Sequence, residues 1–110
     1  MKIKVSELTG RALDWAVMRV KAGKPLHTRS PFLVAAKYST EWECGGPIIE
    51  QEGISIAKDN GEKEWAAWPP AFRRDDAEHF GYGPTPLIAA MRCYVASKLG
   101  DEVEILPELI

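Results

Sequence analysis

The sequence predicts an α+β domain, a small antiparallel sheet with two helices packed on one face. Three observations predict it. Segments near 9–21 and 85–99 carry helical apolar spacing with start and stop signals. Residues 54–68 alternate around Asn60-Gly61, the mark of a hairpin. EVEIL at 102–106 alternates as a half-buried strand does. Helices that flank an antiparallel hairpin bury their apolar stripes against one face of its sheet. With 110 residues the chain has room for one core, so 1–110 reads as a single domain. Apolar residues make up 45% and charged residues 27%, which excludes a disordered chain. No apolar run approaches the ~20 residues that a membrane helix needs.

The elements follow in order. MKIKV at 1–5 alternates charged and apolar residues, as a short strand or the lead-in to a helix. Ser6 or Thr9 caps a helix to about Lys21; Gly23 stops it and Pro25 prevents its resumption. Ala12, Leu13, Ala16, Val17 and Val20 form one apolar face, while Trp15 and Met18 fall on the opposite side. A helix apolar on two sides is either sandwiched within its own chain or used against a second copy; a homodimer or higher homo-oligomer is expected. Residues 24–31 read as a polar loop between prolines, and FLVAAKY at 32–38 as a buried strand. Gly45-Gly46-Pro47 reads as a turn with exposed amides, with Ile48 and Ile49 behind it. Trp65 and Trp68 lie on the return strand of the hairpin. Residues 69–84, with three prolines and the run Arg73 to Asp76, read as a surface loop. Thr85 caps the last helix, Pro86 fits its first position, Gly100 ends it, and Ile88, Met91, Val95 and Leu99 form its stripe.

Charge narrows the partners. The net charge is −2, so no long nucleic acid is expected as a ligand. Residues 1–37 hold eight basic and two acidic residues, a balance of +6; residues 38–110 hold six and fourteen, a balance of −8. A basic first third can attract a small anion, or it can simply complement the acidic remainder within the fold. Cys44 and Cys93 form no CxxC pair, and His27 and His79 form no HxxxH pattern, so neither a metal nor a cofactor is expected. MKIKVSELTG lacks the apolar core of a secretory signal, which makes a cytosolic location the expectation.

Four constellations could carry chemistry. Tyr38, Ser39, Thr40 and Trp42 precede Gly45 and Gly46: rings that stack, hydroxyls that bond, amides that cradle an anion. Without GxxxxGKS or GxGxxG, the common phosphate loops are absent. Arg92 falls at the edge of an apolar stripe, where it must be paired or must grip a phosphate or carboxylate. Trp65 and Trp68 serve either the core or a ligand's ring. Arg73 to Asp76 is a solvated run or a lid. Glu50 and Asp14 are the only modest candidates for acid–base work, and neither has a nucleophile near it in sequence, so no catalytic motif supports an enzyme.

MKIKVSELTGRALDWAV, YSTEW…GGPIIE and YGPTPLIAAMRCYVASKLGDEVEILPEL resemble the NinX-like proteins of tailed bacteriophages along nearly the whole chain. The stretch from Lys58 to Phe80 departs most from that resemblance. The family supplies no catalytic residues. The resemblance implies a phage product acting in the cytoplasm of an infected bacterium, and by analogy of class an anti-defence role. The resulting expectation is a binding protein, a sponge for a small anionic nucleotide-derived ligand such as a host immune signal. Tyr38, Trp42 and Trp65 would stack, Ser39 and Thr40 would hydrogen-bond, Gly45 and Gly46 would offer amides, and Arg92 would hold charge. The alternatives are a module that inhibits a host protein and, third, a nucleotide-degrading enzyme.

Overall fold

The computed structural model describes residues 2–22, 36–58, 64–70 and 80–105. Its elements are β1 (Lys2–Lys4), α1 (Gly10–Ala22), α2 (Trp42–Glu52), β2 (Ser55–Lys58), β3 (Trp65–Trp68), β4 (Gly81–Gly83), α3 (Pro86–Leu99) and β5 (Glu102–Glu104), with a 3-10 turn at Val5–Glu7. The α+β class stands. Among the described residues the strands form two antiparallel sheets rather than one, β1-β5 and β2-β3-β4, and three helices rather than two are present.

α3 organises the molecule. The Thr85 hydroxyl accepts the Ile88 N–H at 3.1 Å, Pro86 opens the helix, and the Gly100 N–H donates to Ala96 at 2.9 Å. These are the end signals written in the sequence. The single apolar stripe is not what forms: Leu87 and every residue from Ala89 to Ala96 are buried, whereas Leu99 is exposed. A helix enclosed on all sides needs close neighbours, and small residues supply them. A Cβ on Gly81 would overlap the Ala89 carbonyl oxygen and the Cys93 nitrogen, and one on Gly83 would meet Ile88 Cγ2 at 2.7 Å. β4 therefore runs at backbone distance from α3.

The two strands of the expected hairpin pair antiparallel, with Ser55 opposite Trp68 and Lys58 opposite Trp65. β4 extends it, pairing Ala66 with Tyr82 and Ala67 with Gly81. Strand alternation puts Ile56, Ala67 and Gly81 on the α3 side and Ala57, Ala66, Trp68 and Tyr82 on the other. The first and last described strands close the fold through Lys2–Glu104, Ile3–Val103 and Lys4–Glu102. Two opposite-charge pairs therefore flank one apolar pair, a favourable cross-strand arrangement.

α1 resolves the question of its two apolar sides. Ala12, Leu13, Ala16 and Val17 are buried, and so is Trp15; Met18 and Val20 pack partly against the same core. Internal packing accounts for Trp15, which leaves it no surface for a second copy.

Three local readings are corrected. Gly45-Gly46-Pro47 is the interior of α2, not a turn. Gly45 is buried where a Cβ would overlap the Tyr38 carbonyl oxygen and approach Leu87 Cδ2 to 2.7 Å, so packing on α3 overrides poor helix propensity. The stop is Gly53, at φ +67°, where only glycine is at ease; its N–H reaches the Glu50 and Ile49 carbonyls. Of the strand expected at 32–38, the described residues 36–38 form coil and the start of a turn. The loop expected at 69–84 contains β4. Gly23, Pro25, His27, Asn60-Gly61, Arg73 to Asp76 and His79 lie outside the described residues.

Candidate functional site

Arg92 is the polar group that the fold treats most unusually. Placed mid-helix in α3, it is only 8% exposed. Its Nε donates to the Leu8 carbonyl at 3.0 Å and its Nη1 to the Tyr82 carbonyl at 2.6 Å. The side chain thus ties the segment after β1 and the edge strand β4 to the central helix. Burial pulls its pKa down, and the field of Glu64 opposes that. A guanidinium stays protonated at neutral pH even so. The result is a cation held in one orientation by main-chain oxygens.

That cation borders a cavity of about 220 Å³, walled also by Lys4, Ser6, Phe80, Tyr82 and Asp101. The Asp101 carbonyl accepts the Val5 N–H at 2.8 Å, which fixes that residue beside the end of β1. Phe80 and Tyr82 stand with centroids 6.2 Å apart and planes 31° from parallel; Trp68 stacks on Phe80 at 5.9 Å and 23°. Tyr82 is 43% exposed. Fixed guanidinium, lysine and rings can hold a planar anion by charge-assisted hydrogen bonds and stacking.

A second cleft, about 210 Å³, lies at the start of α3 between Ser39, Thr40, Trp42 and residues 85–88. Trp42 is 56% exposed. The turn that carries Ser39 is held from behind by α1, where the buried Asp14 carboxylate accepts the Ser39 N–H at 2.8 Å. Burial raises the Asp14 pKa, while Ser39 and Lys37 pull it back. The Ser39 hydroxyl lies near that carboxylate but outside hydrogen-bond geometry, and it has no partner among the described residues.

The expected ligand residues therefore divide. Ser39, Thr40 and Trp42 come together, but Arg92 borders the other cavity. Tyr38 packs half-buried on the core, with Lys21 Nζ 5.3 Å from its ring. Trp65 faces the α3 side of its strand, half-buried against the core, with Lys58 Nζ 5.9 Å from its ring. Gly45 and Gly46 do not form an amide cradle, because both lie inside α2 and the Gly45 N–H is spent on Glu41. Lys4 is not among the expected ligand residues, and neither are Phe80 and Tyr82. The alternation Phe80-Gly81-Tyr82-Gly83 carried a signal for them: rings on one side, bare backbone on the other.

Both cysteines are free, and burial pushes the Cys93 thiol up to about 12, far from thiolate chemistry. No three His, Cys, Asp or Glu side chains among the described residues are grouped to hold a metal. Among the same residues, no helix is long and apolar enough to cross a membrane.

No curated protein matches the chain. Residues 4–98 match the family model described as Bacteriophage P22, NinX, and with most of its length covered the chain belongs to that family.

Proposed function

We propose that this protein is a phage-encoded, non-enzymatic binding protein. It sequesters a small anionic nucleotide-derived ligand in the Arg92 cavity, acting in the cytoplasm of an infected bacterium as a sponge for a host immune signal. The observation that carries this reading is the buried guanidinium, held by the Leu8 and Tyr82 carbonyls at the wall of a cavity that Lys4, Phe80 and Tyr82 also line. Desolvating an arginine is costly, and two carbonyls compensate only part of its five-donor fork. A phosphate would take up remaining donors, with Lys4 beside it and a base on Tyr82.

Calorimetry with AMP, ADP-ribose and inorganic phosphate tests the proposal. Saturable binding of a nucleotide, recovered unchanged when the protein is denatured, supports a sponge. A cleaved product identifies an enzyme instead. A second reading, a module that inhibits a host protein, draws on the exposed Trp42. A stoichiometric host partner lost in Trp42→Ala, with no nucleotide bound, favours that reading.

A further inference from the structure

The charges around the Arg92 cavity are not all of one sign. Arg92 and Lys4 bring two cations to its lining, and the acidic residue Asp101 lines it too. Among the described residues these groups do not neutralise one another. Asp101 forms no ion pair with either cation, and its carboxylate accepts no hydrogen bond. Its main chain is nonetheless fixed, through the carbonyl that accepts the Val5 N–H at 2.8 Å. Arg92 likewise has donors to spare. Its Nε and Nη1 are bonded, while Nη2 has no partner among the described residues. Among those residues only the Ser39 Oγ is a side-chain polar atom sealed without a partner. Nη2 therefore reaches open space, and the cavity is the space that Arg92 lines.

We infer, on the reading that the cavity takes a nucleotide-derived anion, that the base of that nucleotide is guanine and that Asp101 selects it. A ligand anionic throughout is repelled by Asp101, so the part that faces this residue must carry N–H donors. A carboxylate has two oxygens, which accept a pair of parallel N–H bonds. Among the common bases guanine alone carries two such donors side by side, N1–H and the N2 amine. Adenine and cytosine each offer one exocyclic amine beside a ring acceptor, and uracil offers one N–H between two carbonyls. Those acceptor lone pairs face a carboxylate with like partial charge. The phosphate stays with Arg92 Nη2 and Lys4. The two ends of the ligand are thus read by opposite charges, which fixes its orientation as well as its base.

The test is calorimetry on the full chain with GMP, IMP, XMP and AMP. IMP is GMP without the N2 amine, and XMP has a carbonyl in its place. GMP should bind about fivefold or more tighter than AMP, the lower end for a bidentate contact because Asp101 is exposed. IMP should bind more weakly than GMP. Asp101→Asn puts an amide N–H where one carboxylate oxygen stood. It should therefore reverse the order of GMP and XMP, a change that a merely structural role does not produce. Asp101→Ala should erase the preference for GMP and create none for XMP. Thermal melts of each variant establish that it folds; should Asp101→Asn not fold, Asp101→Ala and the GMP–IMP comparison decide. If AMP binds and GMP binds no tighter, the inference fails while the cavity reading stands. A preference for GMP that survives in the Asp101 variants also overturns it, because another group then reads the base. If no nucleotide binds, the cavity reading itself is wrong and the inference falls with it.

Discussion

The Arg92 cavity and the Trp42 cleft border the same helix but are built in opposite ways. The first draws its wall from residues 4–6, 80–82, 92, 96 and 101, and its charged group is fixed by main-chain oxygens of Leu8 and Tyr82. The second draws on two local stretches, Ser39, Thr40 and Trp42 with residues 85–88, and offers hydroxyls and one exposed ring, with no cationic side chain in its wall among the described residues. Short turns suffice to bring hydroxyls and rings together. A desolvated guanidinium needs acceptors delivered from distant parts of the chain, because no single turn supplies them and an unpaired buried charge is not tolerated.

Breaking β4 should have the largest effect. Gly81→Ala would force a Cβ onto the Ala89 and Cys93 backbone of α3, atoms that cannot swing aside as a flexible side chain does. We expect a loss of about 3 kcal/mol or more, read by denaturant unfolding, together with loss of any ligand bound at Arg92. Arg92→Ala should follow. It strands the Leu8 and Tyr82 carbonyls in the interior, at a cost of about 2–3 kcal/mol. Arg92→Lys keeps the charge but cannot reproduce the fork, so it should recover part of the stability and little of the ligand affinity.

The Trp42 side should respond more gently. Asp14→Ala removes the acceptor for the buried Ser39 N–H and should cost about 1–2 kcal/mol, whereas Asp14→Asn retains an acceptor and should cost less. Asp14 also gives the comparison a pH axis. Burial raises its folded pKa above the unfolded value, so the folded state holds the proton more tightly. Its contribution is therefore most favourable below the unfolded pKa and is lost as pH rises through the raised folded value. Asp14→Asn should flatten that segment of the stability–pH curve. Gly46→Ala should stabilise α2 by up to about 1 kcal/mol, since an added Cβ meets only Trp42 Cε3 at 3.9 Å. Smallest of all, Trp42→Ala should shift stability by about 0.5 kcal/mol or less and leave binding at the Arg92 cavity unchanged. A large loss there would show that the two clefts act as one site.

Elements whose signals are local were legible in the chain alone. Thr85, Pro86 and Gly100 bound α3, alternation made the paired strands β2 and β3, and the first three residues of EVEIL made β5, because caps and alternation act within a few residues. The chain alone also marked Arg92 as a charge requiring a partner and placed Ser39, Thr40 and Trp42 together. Tertiary structure decided the rest. Gly45 lies in a helix because the Tyr38 carbonyl and Leu87 leave no room for a side chain, a constraint absent from its own neighbours in sequence. Gly81 and Gly83 read as loop residues in the chain but form a strand in the fold, since only bare backbone fits against α3. Which groups share a cavity followed the same rule: Lys4, Tyr82 and Arg92 meet through strand pairing and helix packing between distant segments, and no local spacing encodes such a meeting.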